Sequence, residues 1–293
     1  MVATAAPPAE PASTGCPACG ASDPRPARSV FVDPLLACAA CGHRWVEGPA
    51  GREPSSEFYD DLHEKGLINP LPDAVRRDFL DERLRLIEEW RRPGLLLDVG
   101  CGDGAFLARA EARGWSVVGL ESSAEAAARA RAAVRGQVVC APLEQAALAA
   151  DFDAVTFWDS LEHLVDPAAA LRRVTTRTRA GGVIAITMPN AAGTEARVWG
   201  RRWPYLDLAR YGHLHHFTPR SLRRLVERAA GAARTDVRTY GSVDLRFAPA
   251  LAMLARRPGG TWTLDRASGL LARVAVPLGR GSTLLMRAQL PAG

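Results

Sequence analysis

An apolar run ending in a glycine-rich turn, later strand-like runs alternating with helical ones, and two C-x-x-C pairs ahead of them predict an α/β chain. Its body is expected to be a Rossmann-like sheet of seven strands, with a small zinc ribbon at its N-terminal side. The 293 residues include 47% hydrophobic and 24% charged side chains, ordinary values for a globular protein. Length alone suggests one large domain plus something small.

The C-x-x-C pairs are Cys16-Pro-Ala-Cys19 and Cys38-Ala-Ala-Cys41, each followed by glycine. Two such knuckles can present four thiolates as a tetrahedron around one Zn²⁺. Gly20 and Gly42 supply the left-handed backbone such a turn needs. Ser29–Val32 and Leu35-Leu36 are expected to form the ribbon's hairpin. Disulfides are the rival reading, but nothing in the sequence points to secretion. A catalytic zinc would need an open position, which four thiolates do not leave. His43 could replace one cysteine, although the four-cysteine set needs no help.

Residues 1–15 read as a disordered leader, 16–46 as the ribbon and 47–69 as a linker. A helix follows over 72–90, with Val75, Phe79, Leu86, Ile87 and Trp90 on one face. The segment 70–293 forms the main domain, with inserts at 191–217 and 243–280.

The decisive segment is Leu95-Leu-Leu-Asp98-Val-Gly100-Cys101-Gly102-Asp-Gly104, a strand running into a turn that lets backbone approach a ligand. A second strand, Ser116–Leu120, ends in Glu121. Dinucleotide sites space their glycines as G-x-G-x-x-G, whereas here the third glycine follows after one residue. An acidic residue followed by G-x-G-x-G resembles the first motif of class I S-adenosylmethionine-dependent methyltransferases. The resemblance implies that Asp98 serves the cationic amino-acid tail of that cofactor and Glu121 its ribose hydroxyls. Gly100, Cys101, Gly102, Gly104 and Ser122 would line it, with Leu143 and Glu144 beside the adenine.

Later segments continue the resemblance. Gln137–Cys140 is expected as the third strand, Asp153–Trp158 as the fourth, and Val183–Thr187 as the fifth. Thr235–Tyr240 and Ser282–Leu290 complete the sheet. A helix opens at Asp166-Pro167 and is expected to end at Gly181-Gly182; another opens at Thr218-Pro219. Ligands sit beyond the carboxyl ends of parallel strands, so Trp158, Asp159 and His163 should lie beside the methyl donor. The run His213-Leu-His215-His216-Phe-Thr-Pro resembles small-molecule methyltransferases loosely akin to the ubiquinone O-methyltransferases. His163, His213, His215 and His216 are therefore candidate bases for an acceptor hydroxyl, and Trp158, Trp203 and Tyr205 candidate pocket walls. Each histidine, Asp159 and Glu162 also have a structural reading as capping or core-satisfying residues. A second metal site at these histidines lacks an accompanying carboxylate or cysteine cluster in the sequence.

Charge narrows the partners. Net charge is −6 over residues 1–90, zero over 91–190 and +11 over 191–293, within a total of +5. Arginines near the first insert, such as Arg201, Arg202 and Arg210, suit an anionic, nucleotide-linked or lipid-linked small-molecule acceptor. Solvated helix faces and a coding bias toward arginine are the plain alternative. A ribosomal RNA methyltransferase using its ribbon for RNA recognition is the rival function. Against it, the ribbon third is acidic, and the fourth strand lacks an Asn/Asp-Pro-Pro-aromatic turn. No apolar run of about 18 residues occurs, and the first residues do not make a secretory signal, so the expected location is cytoplasmic.

Overall fold

The computed structural model describes residues 15–47, 54–64, 73–241 and 260–293. The expected leader, apart from residue 15, lies outside the described residues. So do 48–53 and 65–69 of the expected linker and 243–259 of the second insert.

The N-terminal module has three short strands, β1 (Pro24–Ala27), β2 (Leu35–Cys38) and β3 (Arg44–Val46). Its hairpin differs from the expected one: β1, rather than Ser29–Val32, pairs antiparallel with β2. Prolines 24 and 26 are tolerated because β1 is an edge strand, where missing N–H groups go unnoticed. Val30 and Phe31 instead lie exposed in the connecting loop. Within the expected linker, Ser56–Glu64 forms helix α1. Helix α2 spans Asp73–Glu88 and buries Leu80, Leu84 and Ile87 at helical spacing, so its inner face includes two leucines absent from the expected set.

The main sheet is built from β4 (Leu95–Val99), β5 (Ser116–Glu121), β6 (Gln137–Cys140), β7 (Phe152–Trp158) and β8 (Thr178–Pro189), all parallel. Their connections include α3 (Ala105–Ala112), α4 (Ala124–Ala133) and α5 (Pro167–Thr175). Helix α5 ends before the expected Gly181-Gly182 stop. The chain turns into β8 first, and those glycines lie inside the strand, near an irregularity in its register with β7. After β8 come α6 (Thr194–Trp199), α7 (Leu208–Tyr211), β9 (His215–His216) and α8 (Pro219–Ala230). Strands β10 (Arg234–Tyr240) and β11 (Thr283–Gln289) close the sheet antiparallel, with α9 (Gly260–Ala275) between them.

The seven strands lie in the order β10-β11-β8-β7-β4-β5-β6. Leu84, Ile87, Phe106 and Leu107 pack on one face of the sheet, and Leu171, Val174, Leu222 and Leu225 on the other. The order reverses between β4 and β7, where open α/β sheets place their ligand crevice. Strand β9 does not join this sheet. It pairs with β3 and makes the N-terminal module four-stranded.

Candidate functional site

The turn after β4 is shaped by its glycines. Gly100, Gly102 and Gly104 have φ of 77°, 55° and 79°, a region that disfavours residues with a Cβ. A Cβ on Gly100 would lie 2.8 Å from Ser160 Cβ, and one on Gly104 would lie 2.9 Å from Ala130 Cα. At Gly102 it would meet nothing within 4 Å, so this glycine opens onto free space. Asp98 lies beneath the turn, 1% exposed, and Thr156 Oγ1 donates to its Oδ1 at 2.7 Å. Burial pushes the Asp98 carboxyl up to about 7, against the pull of the Thr156 hydroxyl and the Arg83 charge. Glu121 Oε2 accepts from Gly102 N at 2.8 Å and Oε1 from Ser123 N at 2.9 Å. Each oxygen keeps a second lone pair for a hydroxyl donor.

This donor set fits S-adenosylmethionine: a buried carboxylate for an ammonium, a paired carboxylate for a diol, and an open glycine between them. The Cys101 side chain packs into the core near Gly119, so only its backbone lines the turn. Trp158 is buried edge-on to Phe106, with ring centroids 5.1 Å apart. Leu143 is buried, Ser122 half-buried and Glu144 exposed.

A family model described as a methyltransferase domain matches residues 73–232. The chain belongs to that methyltransferase domain family. Among curated relatives, the ubiquinone biosynthesis O-methyltransferase of Pseudomonas paraeruginosa (strain DSM 24068 / PA7) is 33% identical over 158 residues, 52% of this chain and 60% of that protein. The Nitrosomonas europaea protein of the same name is 33% identical over 147 residues, 48% of this chain and 55% of the relative. The match thus spans little more than half the length of these curated relatives. Among solved structures, the plantazolicin methyltransferase BpumL with a pentazolic desmethylPZN analogue and SAH aligns with TM-score 0.54 at 16% identity, covering 80% of this chain and 94% of that one. A SAM-dependent methyltransferase from Archaeoglobus fulgidus gives 0.52 at 19% identity, with coverage of 73% and 94%. The expected fold and the resemblance to ubiquinone O-methyltransferases are borne out.

In this methyltransferase the loop after β7 lies directly on the glycine turn, because Ser160 Oγ donates to Val99 O at 2.6 Å. Asp159 in that loop has φ 54°, the one non-glycine residue with positive φ among those described. Arg83 Nη2 and Thr187 Oγ1 approach its Oδ2 at 2.9 and 3.1 Å. The Arg83 guanidinium lies between the faces of Phe79 and Trp158, 4.2 and 4.6 Å from their centroids. Phe79 in turn meets the Tyr240 ring, 5.7 Å between centroids. Sequence reasoning missed Arg83, Thr187 and Tyr240, which come from α2, β8 and β10 and carry no local motif.

Glu162, His163 and His213 meet here, with donor atoms within 4.8 Å of one another. The carboxylate missing from a metal reading of the histidine run is therefore supplied by the fold, and these three side chains could hold a divalent cation. His163 Nδ1 lies 3.1 Å from Gly212 O, so its N–H donates there and Nε2 is left to accept a proton. Burial lowers His163 to about 4 and His213 well below the usual range, keeping both rings neutral. Burial and the neighbouring Asp159 charge raise the Glu162 carboxyl well above its usual range. Helix α1 adds residues that no motif marked. Tyr59 lies 5.7 Å from the His163 ring, and Ser123 Oγ donates to Asp60.

The other two histidines divide: His215 turns to His43 of the module, whereas the His216 ring lies 6.4 Å from that of His213 and 5.9 Å from that of Trp203. His215 and His216 pair with Trp45 and Arg44, and His43 Nε2 lies 3.1 Å from His215 Nδ1. Trp203 is fully buried in a cluster with Leu35 and Val46, while Tyr205 stacks on His213 at 5.5 Å.

The four ribbon cysteines converge. Their sulfurs all lie within 4.8 Å of one another, with Cys16–Cys41 at 3.7 Å and Cys19–Cys38 at 3.6 Å. A tetrahedron with Zn–S bonds of about 2.3 Å has edges of about 3.8 Å, so the set fits Zn²⁺. Gly20 and Gly42 both have φ of 75°, as the knuckles require.

Proposed function

We propose that this chain transfers the methyl group of S-adenosylmethionine to a hydroxyl of a small-molecule acceptor. The observation that carries this reading is the contact between the two halves of the site. Ser160 ties the loop bearing Asp159, Glu162 and His163 onto the glycine turn. A cofactor seated over that turn would supply an electrophilic methyl on a good leaving group, so the protein's task is alignment and proton removal.

Neutral His163, its tautomer set by Gly212, takes the acceptor's proton on Nε2. Asp98 and Glu121 hold the cofactor's ammonium and ribose, and Trp158 and Tyr205 flank the acceptor. Exposed Arg201, Arg202 and Arg210 near the insert favour an anionic acceptor, nucleotide- or lipid-linked, with a sugar carbon as the other possible methyl position. Cys16, Cys19, Cys38 and Cys41 bind structural Zn²⁺. Among the described residues, no helix is long and apolar enough to cross a membrane.

Two measurements test the reading. Calorimetry should show S-adenosylhomocysteine binding to folded protein, and labelled methyl from S-adenosylmethionine should appear in a metabolite extract. Folded protein that binds no S-adenosylhomocysteine overturns it.

A further inference from the structure

The N-terminal module and the segment after β8 are one structure. Strand β9 is only two residues long, too short to persist unpaired, and its partner is β3 of the module. Val46 N donates to Leu214 O at 2.9 Å, and Val30 N donates to Arg201 O at 3.1 Å. Leu35 and Val46 of the module share a buried cluster with Ala191, Ala196, Trp203 and Leu206. His43 is fully buried, its ring 5.3 Å from His215 and 4.4 Å from Phe217. Thr218 Oγ1, the cap of α8, also donates to the carbonyl of Cys41 at 2.9 Å. The same segment carries His213 and Tyr205, and its Gly212 carbonyl orients His163.

We propose that the module is the buttress behind the acceptor side of the site. Metal at the four cysteines holds β3 in place, β3 holds β9, and β9 sets the 199–217 segment that positions His163 and His213. This rests on reading the cysteines as a Zn²⁺ site. A module this small has too little core to fold without such a staple. Loss of metal should therefore loosen the acceptor side and leave the cofactor side in place. Val46 and Cys41 are positioning residues in this scheme.

Hydrogen exchange, zinc analysis and S-adenosylhomocysteine calorimetry on the full chain test it together. The purified protein should hold one zinc per chain. After chelation, amides in 199–217 should exchange at least about tenfold faster, those in 95–121 should be unchanged, and S-adenosylhomocysteine affinity should move by less than about threefold. Val46→Pro removes the donor to Leu214 without touching a ligand. It should keep its zinc and show the same faster exchange in 199–217. Protein lacking stoichiometric zinc overturns the metal reading and the coupling with it. Zinc present, with exchange in 199–217 unchanged on its removal, overturns the coupling alone. Loss of S-adenosylhomocysteine binding and of sheet protection together would show a general folding role and overturn it equally.

Discussion

Thr156 donates to Asp98 across the β4–β7 register at 2.7 Å, in a position almost closed to water. This bond is the main stabilising contact of a carboxyl that burial has pushed up to about 7. An ammonium arriving beside Asp98 favours its ionised form, so binding below that pH releases a proton. S-adenosylhomocysteine affinity should rise from pH 6 and level off above pH 7. Asp98→Asn should weaken binding by about 10- to 100-fold and remove the pH dependence. Calorimetry in two buffers of different ionisation heat reads both effects, and a flat wild-type profile would refute them.

Gly102 and Gly104 should respond differently to alanine. At Gly102 the added methyl costs only backbone strain, about 1–2 kcal/mol, but it fills the space offered to the cofactor. Gly102→Ala should stay folded and lose at least about tenfold in S-adenosylhomocysteine affinity. Gly104→Ala should lose thermal stability first, because its methyl meets the Ala130 backbone.

His163→Asn should lower methyl-transfer turnover by about 10²- to 10⁴-fold while S-adenosylhomocysteine affinity holds. With His163 lowered to about 4, wild-type turnover should show no histidine limb between pH 5 and 8. An activity limb near pH 6.5 that disappears in the variant would contradict this ring's burial.

Arg83 is 8% exposed, while the Asp159 side chain is 46% exposed. Arg83→Met keeps the packing between Phe79 and Trp158 and deletes the pair. Urea unfolding should show a loss of about 1–2 kcal/mol, with a coupling to Asp159→Asn of about 1 kcal/mol in a double-mutant cycle. Strict additivity would mean that the pair contributes nothing.

Buried neutral histidines make the fold acid-sensitive. His215 and His216 are held down to about 4 and 3 by burial. The unfolded chain binds protons from about pH 6.5 downward and the folded chain does not, so stability is complete above pH 6.5 and falls toward pH 4. Each ring adds a slope of up to about 1.4 kcal/mol per pH unit in that window. Asp98 and Glu162, whose carboxyls burial raises, slope the other way. Urea midpoints at pH 8 and pH 5 should therefore differ clearly in the Asp98→Asn, Glu162→Gln variant, where equal midpoints would show that the rings are solvated.

The parts legible in the sequence were those whose partners are near in the chain. Asp98 and the glycines share one turn, each C-x-x-C pair shares one knuckle, and Leu222, Leu225 and Val226 share one helix face. Thr156 and Arg83 were not legible, because their roles exist only once β7 and α2 lie beside β4. The division of the histidine run could not be read either. Alternation along two residues of strand sends His215 toward His43, whereas His213, before the strand, meets His163. Helix α1 was hidden by polar composition and by the linker-like segment preceding it.

The pairing of β3 with β9 bears on the order in which the chain is made. His43 and His215 lie 172 positions apart, so the N-terminal module leaves the ribosome long before its fourth strand exists. Until then Leu35, His43 and Trp45 lack the side chains and the strand that cover them in the folded chain. Cutting the gene at the module's boundary in sequence should therefore yield two fragments that each expose apolar surface.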